Sequence, residues 1–460
     1  MSLHRTATLC ALCCVALLSP PVVEASTRFI AEIADPGPNN VGWKPSLGLD
    51  AGGGAHIAYF DNTLNNVRFA RRTASGWTLE TIDAWASPTA GLSLALDPDG
   101  GPHVAYVDYD TPTLRYARRA HDSWIVQIAD VGPGRIGYFP SLALDERGDP
   151  HISGLDAQNS ALRYAQRFYG VWVRSWAERS NDSVWRTSLA LEPGLITHIC
   201  YRGAGMLKHA RRSGGVWTRE IADPIDSDYP AMVLDANGNI HVAYYDVDAQ
   251  NLRYARKAAG QWTATTVLMS AENDGSYPSL ALDANGDVHV SYFNTTSGEL
   301  MYARLASGVW TIETLADAAD GTSGYSSIAL DGRGMPHVAY KGPDDVLMYT
   351  RAVQVVPPSG EGDAKASLAA GAEIDLHAFP NPSSDGIHVR YRSSVRARPR
   401  LTVLDVSGRE VARFDLSVAP GEDFVWDGTT STGERVVQGV YFLRLDAGSE
   451  RAVRRVTFLR

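Results

Sequence analysis

The stretch Pro278–Phe293 reads PSLALDANGDVHVSYF, and it decides the fold. Two runs of β-forming residues flank the turn DANG, in which Asp accepts backbone hydrogen bonds and Gly supplies a positive φ. Two more runs follow, LMYAR at 300–304 and VWTIET at 309–314. We call the four runs A (SLALD), B (HVSY), C (LMYAR) and D (WTIET). Their lengths and turn residues predict four consecutive antiparallel strands.

This unit recurs along the chain at a nearly constant period. The copies open at Ser46, Ser93, Ser141, Ser188, Ala231, Ser279 and Ser327, with steps of 47, 48, 47, 43, 48 and 48 residues. Seven four-stranded units predict an all-β, seven-bladed β-propeller over residues 26–356. A solenoid is the alternative, but its coils are usually shorter, and it needs a cap at each end.

The two ends of the repeat region complete each other. The seventh copy has runs A, B and C but no run D, whereas residues 28–35 read RFIAEIAD and match run D of other copies. We therefore expect the N-terminal strand to close the last blade, which removes the open sheet edges that invite aggregation. The repeats resemble those of secreted bacterial β-propellers with sialidase-like and NHL-like repeats. The resemblance implies the fold and no particular activity, because propellers carry many functions.

The beginning of the chain predicts export. Residues 1–25 combine Arg5, an apolar run from Leu9 to Leu18 and small residues before a cut after Ala25, as a signal peptide does. The apolar run is too short to span a membrane, and no later stretch is long enough. After cleavage only Cys200 remains, so no internal disulfide is expected. With 42 Lys and Arg against 52 Asp and Glu, the net charge of −10 disfavours nucleic acid and anionic membranes as partners.

Two kinds of residue repeat in every blade or nearly every blade. Run B carries a His in each copy, which we expect to bond the acid ending run A and to help hold blade to blade, with no metal bound. The Trp that opens run D and the Tyr of run C are expected to pack between blades. The histidines are His56, His103, His151, His198, His241, His289 and His337.

Motifs for catalysis are not found in the sequence. A sialidase would need an aspartate box, an arginine cluster and a Tyr/Glu pair, and no segment matches the box. Nucleophile-elbow, zinc-protease and phosphate-loop motifs are also missing. The acid pairs Asp108/Asp110 and Asp246/Asp248 are weak candidates for a cation, and turn acids explain them better. We therefore expect no cofactor.

A different module follows a linker at 357–374. Short β-rich runs at 387–391, 401–405, 424–427, 440–445 and 452–459 predict a small β-sandwich over residues 375–460. FPNP at 379–382, VLDVSGR at 403–409, WDG at 426–428 and GVYF at 439–442 stand in the order of a known family. The module resembles the C-terminal sorting domain of type IX secretion, which is similar to the immunoglobulin-like domain of hook-capping proteins. This resemblance implies passage across an outer membrane and contact with the secretion machinery.

The loops before strand A and after strand B share one face of the propeller, and they carry the candidate ligand site. Six D–A loops have an aromatic residue two or three positions before the opening residue: Trp43, Tyr138, Trp185, Tyr229, Tyr277 and Tyr325. The B–C loops open with an acid or an amide: Asp61, Asp108, Asp156, Asp246 and Asn294. Aromatic rings beside acids can stack on sugars and accept their hydroxyl hydrogen bonds. The alternative is that the aromatic residues plug the channel and the acids cap turns.

The fourth copy departs from the other copies. Arg202 replaces the acid of its B–C loop, and the spacing to the next copy, 43 residues, is the shortest. We therefore expect residues 185–202 to make a specific contact. We predict a secreted or cell-surface binding or adhesion protein, monomeric and non-enzymatic, whose propeller takes a carbohydrate or protein ligand. A sialidase-like carbohydrate-active enzyme is the alternative. An enzyme needs one asymmetric cluster of acids, whereas a lectin-like binder repeats similar contacts over several blades.

Overall fold

The computed structural model describes most of the chain from residue 26 onward. The described residues are 26–84, 90–108, 110–132, 135–179, 183–267, 273–317, 324–342, 345–355, 375–379, 386–392, 399–405, 409–416, 423–437, 439–447 and 450–458. They divide into two compact units, with the boundary between Val355 and Val356. The predicted signal peptide at 1–25 and the linker at 357–374 lie outside the described residues.

The first unit contains seven sets of four antiparallel strands, which we call blades one to seven. Blades four and five form a single sheet, because their shared strand β17 (Val216–Leu234) is continuous. In chain order the strands of blades one to three are β2 (Trp43–Leu49), β3 (Ala55–Asp61), β4 (Asn66–Thr73), β5 (Gly76–Asp83), β6 (Leu92–Leu96), β7 (Pro102–Asp108), β8 (Thr113–Ala120), β9 (Ser123–Asp130), β10 (Ile136–Leu144), β11 (Pro150–Asp156), β12 (Ala161–Phe168) and β13 (Val171–Glu178).

The remaining blades follow the same A-to-D order. Their strands are β14 (Val184–Glu192), β15 (Ile196–Gly203), β16 (Met206–Ser213), β17 (Val216–Leu234), β18 (Ile240–Asp246), β19 (Asn251–Ala258), β20 (Gln261–Thr266), β21 (Asp274–Leu282), β22 (Val288–Asn294), β23 (Glu299–Ala306), β24 (Val309–Asp317), β25 (Ser326–Leu330), β26 (Pro336–Lys341), β27 (Leu347–Val355) and, as the last strand of blade seven, β1 (Ser26–Asp35). The predicted all-β fold class is confirmed.

The N-terminal strand joins the two ends of the ring. β1 pairs antiparallel with β27, from Ser26 opposite Val355 to Asp35 opposite Leu347. From blade seven, β1 also reaches blade one, where Glu32 pairs with Arg72 at 2.5 Å. The Asp35 carboxylate likewise accepts a hydrogen bond from the Tyr59 hydroxyl at 2.6 Å. β1 therefore holds the first blade to the last.

Neighbouring blades are held together by two repeated contacts. In blades one to six, the Trp near the start of strand D packs edge-on against an aromatic ring of the preceding blade, as Trp77 does on Tyr349 at 5.2 Å between ring centroids. In blade seven Phe29 of β1 takes this place, against Tyr302. The hydroxyl of the opening Ser accepts a hydrogen bond from a strand A amide of the next blade, as Ser327 does from Leu47 at 2.9 Å. The Ser contact recurs at five further interfaces: Ser46–Leu94, Ser93–Leu142, Ser141–Leu189, Ser188–Met232 and Ser279–Ile328. We call this contact the serine latch.

The blade histidines act within a blade. Their Nε2 atoms face the acid that ends strand A, at 3.2 Å from Asp50 for His56. On the other side, Nδ1 of His151 contacts the Tyr164 hydroxyl of its own strand C at 2.5 Å. Burial lowers the pKa of His151, so the ring is neutral near pH 7. His56, His103 and His241 form the expected hydrogen bond to the acid, whereas the distance is 3.7 to 3.9 Å for His151, His289 and His337. These contacts join strands of one blade and do not hold blade to blade.

The second unit packs two sheets face to face. One contains β28 (Asp375–Phe379), β29 (Ile387–Arg392) and β32 (Asp423–Trp426). The other contains β30 (Arg400–Asp405), β31 (Glu410–Asp415), β33 (Gly439–Ala447) and β34 (Glu450–Phe458). Buried Trp426 of the first sheet and Tyr441 of the second meet edge-on at 5.5 Å in a shared core. This is the layering of a β-sandwich. β28 and β31 were not among the strands expected from the sequence.

Candidate functional site

One cavity of about 220 Å³ lies where the A strands of all seven blades begin. Because every blade contributes to its lining, the cavity lies on the propeller axis. The lining residue is always found two positions before the opening Ser or Ala of the repeat. In blade order these residues are Lys44, Gly91, Phe139, Arg186, Tyr229, Tyr277 and Tyr325. We call this cavity the axial cavity.

An irregularity in strand A turns these side chains toward the axis. The pairing of strands A and B shifts register around Lys44, Phe139, Arg186, Tyr229 and Tyr277, as a β-bulge does. The same five residues have φ values between 45° and 55°. Such values are uncommon for residues with a side chain, and bulges often re-aim a side chain beside a functional site.

Three tyrosines form one wall of the axial cavity. The ring of Tyr277 lies 4.1 Å from that of Tyr229 and 4.4 Å from that of Tyr325, both measured between centroids. Burial raises the pKa of Tyr277 and that of Tyr325 to about 12. The three blades therefore present a continuous aromatic surface with neutral hydroxyl groups.

Two cations lie against the aromatic residues. The Arg186 guanidinium carbon is 3.9 Å from the Tyr229 ring centroid and 4.4 Å from that of Phe139. Its Nε is also 3.3 Å from the Asp228 carboxylate, which fixes the guanidinium over the rings. Lys44 Nζ lies 5.2 Å from the Tyr325 centroid, and burial together with the charge of Arg186 lowers the pKa of Lys44 to about 7. All three distances to ring centroids suit cation–π contacts.

The second blade leaves a gap in this ring of side chains. Its lining residue is Gly91, with φ at 85°, where every other blade has a large side chain. A Cβ atom added at Gly91 would be in ordinary contact with Phe139 and Pro140, at 3.5 to 3.7 Å. A Cβ atom therefore fits, although a φ of 85° strains any residue that has a side chain. Blade two sends no side chain into the axial cavity, which is open at this position.

The six predicted aromatic residues divide into two groups. Tyr229, Tyr277 and Tyr325 line the axial cavity, as the loop pattern suggested. The other three lie one position before the residue that lines the cavity, which is Lys44, Phe139 or Arg186. These three are Trp43, Tyr138 and Trp185. A one-residue step along an extended chain turns a side chain to the other face, so Trp43 packs between blades one and two, and Trp185 is 44% exposed.

The four predicted acids are buried turn caps and do not line the axial cavity. Asp61 accepts hydrogen bonds from the amides of Thr63 and Leu64, both at 3.0 Å. The other three acids, and Asn294, bond the amides of their own B–C turns in the same way: Asp108, Asp156 and Asp246. Their exposed fractions are between 0 and 6%. The structure thus places these carboxylates in their own turns, and of the predicted site residues only Tyr229, Tyr277 and Tyr325 line the axial cavity.

Sequence reasoning missed Lys44, Phe139 and Arg186. Counting back a fixed two positions from each opening Ser would have found them, whereas a search for aromatic residues accepted either of two positions. The departure expected in the fourth blade is real, but the residue that enters the axial cavity is Arg186. Arg202 instead pairs with Asp226 at 2.8 Å.

Within the described residues, no group of three or more His, Cys, Asp or Glu side chains is placed to hold a metal ion. A search of the same residues for a helix that is long and apolar enough to cross a membrane found none.

The comparison with protein families identifies the tail. Residues 377–458 match the family described as secretion system C-terminal sorting domain. This family marks proteins that type IX secretion exports to the cell surface or releases, so the chain carries that sorting domain and is exported. In the described part of the matched motifs, buried Trp426 donates a hydrogen bond to the Thr429 carbonyl at 2.9 Å, and Gly428 has φ at 77°. No curated protein matches the chain.

Several solved structures resemble the chain at low sequence identity. A polysaccharide lyase of family PL25, an ulvan lyase bound to a saccharide of GlcA and Rha3S, is 15% identical with a TM-score of 0.54; the match covers 75% of this chain and all of the lyase. PorZ, a surface component of the type IX secretion system of Porphyromonas gingivalis, is 14% identical with a TM-score of 0.41 over 92% of this chain. The chain spans 60% of the length of PorZ. Aleuria aurantia lectin is 15% identical with a TM-score of 0.44, over 61% of this chain and 98% of the lectin.

Proposed function

We propose that the protein is an exported binding or adhesion protein whose propeller takes a glycan in the axial cavity. The observation that supports this is a single cavity, shared by all seven blades, with a wall of tyrosines and two cations. Aromatic faces stack on the apolar faces of sugar rings, and hydroxyl and cationic groups donate hydrogen bonds to sugar oxygens. A concave site of this kind is the usual place for a small ligand.

The location of the protein outside the cell supports the same proposal. The sorting domain takes the propeller outside the cell, where polysaccharides and the glycans of other cells are accessible ligands. The ulvan lyase of similar fold was solved with a bound saccharide, which makes glycans the first ligands to test. Lys44, Tyr229 and Tyr277 are held in strained backbone conformations, and strain of this kind is retained mainly where a site needs it.

A glycan and polysaccharide array probed with residues 26–460 tests the proposal. The affinity of each hit is then measured for Tyr277→Ala, which removes the central ring of the tyrosine wall. Tyr169→Ala is the matched control, because Tyr169 is 83% exposed in a C–D turn. We expect Tyr277→Ala to weaken binding at least tenfold and the control to leave it unchanged. An array without hits, or a Tyr277→Ala protein that binds normally, contradicts the proposal.

A turnover assay on the same hits separates binding from the alternative of a sialidase-like or other carbohydrate-active enzyme. We expect each glycan to be recovered intact after prolonged incubation. New reducing ends, released sialic acid or unsaturated sugar products would identify an enzyme.

A further inference from the structure

We propose that the ligand of the axial cavity carries an acidic group, a carboxylate or a sulfate ester on a sugar, and that this group binds between Lys44 and Arg186. The inference rests on the proposed function and adds the chemical class of the ligand. It follows from three features of the cavity: its charge, its tyrosine hydroxyls and its gap.

The axial cavity presents two cationic side chains, Lys44 and Arg186. Lys44 and Arg186 both lie against the ring of Phe139, at 5.5 and 4.4 Å from its centroid. Among the described lining residues there is no carboxylate, and Asp228, which pairs with Arg186, lies just before the lining residue Tyr229. Two like charges in a partly buried site repel each other, and the charge of Arg186 contributes to the lowered pKa of Lys44. An anion between them replaces this repulsion by two attractions.

The donors suit an oxyanion. A guanidinium forms charge-assisted hydrogen bonds to carboxylate or sulfate oxygens, and an ammonium group adds a second, flexible donor. The hydroxyls of Tyr229, Tyr277 and Tyr325 remain protonated, because the pKa of each is raised by burial, and can also donate. Neutral sugar hydroxyls would use the same tyrosines but would gain much less from the two cations.

The gap at Gly91 belongs to blade two and lies between Lys44 of blade one and Phe139 of blade three. The acidic group would enter the axial cavity through this gap. The volume of about 220 Å³ is below the roughly 300–1,000 Å³ of drug-sized sites. The axial cavity therefore takes one sugar unit, with the rest of a chain outside.

Matched pairs of polysaccharides test the ligand class. Polygalacturonate and alginate are compared with their methyl esters, and κ-carrageenan and dextran sulfate with desulfated κ-carrageenan and dextran, by calorimetry on the exported chain. We expect an acidic member to bind at least tenfold more tightly than its neutral partner. The uronate pairs and the sulfate pairs show which acid is taken. Equal affinities, a preference for the neutral members, or no binding of any acidic member would overturn the inference.

Four variants locate the charge effect. Lys44→Gln and Arg186→Gln each remove one cation and should weaken the acidic member about tenfold or more, and its neutral partner by a clearly smaller factor. Arg333→Gln removes an exposed cation in an A–B turn and should change neither. Gly91→Tyr fills the gap without changing the charge and should abolish binding of both members. Circular dichroism and melting temperatures confirm that each variant is folded.

The variants also separate this inference from the proposed function. If Gly91→Tyr abolishes glycan binding while Lys44→Gln and Arg186→Gln leave the preference for acid unchanged, the axial cavity binds glycans and the inference on charge is wrong. If none of the four variants changes binding, the ligand binds elsewhere, and the proposed site fails as well.

Discussion

Lys44 is held where its charge is poorly solvated. The folded-state pKa of about 7 is below the ordinary 10.5 because of burial and the charge of Arg186. The Tyr325 hydroxyl group, whose ring lies against Lys44, is neutral below about pH 12 because burial raises its pKa. The unfolded chain thus binds more protons than the folded chain between pH 7 and 10.5, so the stability cost of Lys44 is complete below pH 7 and fades toward pH 10.5.

Replacing Lys44 by Met should therefore stabilise the protein. We expect a higher free energy of unfolding at pH 6 to 7, measured by urea denaturation, and a gain that shrinks as the pH rises toward 10.5. Arg333→Met is the control and should have no such pH profile. A loss of stability at pH 6, or a gain that is constant with pH, would mean that the fold does not disfavour the charged form of Lys44.

The sequence predicts some residues of the axial cavity correctly and others wrongly. The rule "aromatic residue before the repeat" found Tyr229, Tyr277 and Tyr325 because these blades place the aromatic residue two positions before the opening residue, at the lining position itself. It failed for Trp43, Tyr138 and Trp185, since a positive φ one residue later turns the next side chain toward the axis. A Gly in the sequence signals a positive φ, but a Lys or an Arg does not. The bulged conformation at Lys44 and Arg186 therefore could not be read from the sequence.

The serine latch joins one strand A to the next, and it is missing at one interface. Ala231 opens the fifth blade, so the amide of Leu280 in blade six has no hydroxyl at the corresponding position. Ser327→Ala should destabilise the protein by about 1–3 kcal/mol, because a partly buried amide loses its acceptor. Ala231→Ser should restore the missing contact and stabilise by about 1 kcal/mol.

Urea denaturation of these two variants tests the latch. Ser75→Ala, at an exposed position in a C–D turn, is the control and should stay within about 0.5 kcal/mol of the parent protein. If Ser327→Ala behaves like Ser75→Ala, the latch does not contribute to the packing of the blades.

The strands of the propeller were easier to predict from the sequence than those of the sandwich. The propeller strands follow from a period that repeats seven times, so an error in one copy is corrected by the others. The sandwich has a single copy of each strand, and β28 and β31 carry too few alternating residues to be distinguished from loops. Runs such as DLHAF at 375–379 form a strand because β29 is available as a partner.

Closure of the ring depends on β1. Removal of residues 26–35 takes away the last strand of blade seven and the contacts of Glu32 and Asp35 with blade one. The edge of β27 is then open to pairing with another chain. We expect the shortened protein to melt at a lower temperature and to associate, as measured by light scattering, whereas the intact chain stays monomeric. A monomeric shortened protein with an unchanged melting temperature would contradict the account of closure.

The tail should be sufficient for export. Residues 357–460, which contain the matched sorting domain, can be fused to a periplasmic reporter in a host with type IX secretion. We expect the reporter on the cell surface or in the medium. The control is the same fusion with Trp426→Ala, which removes the largest buried side chain of the sandwich core. A reporter that stays periplasmic with the unchanged tail would indicate a structural domain without a sorting role in this chain.

The central claim is that the axial cavity is the ligand site of an exported propeller. A crystal structure of the exported chain with the tightest acidic glycan of the panel tests it most directly. We predict one sugar unit in the axial cavity, with its acidic group between Lys44 and Arg186 and its ring against Tyr277. A glycan bound on another face, with the axial cavity free of sugar, would contradict the account.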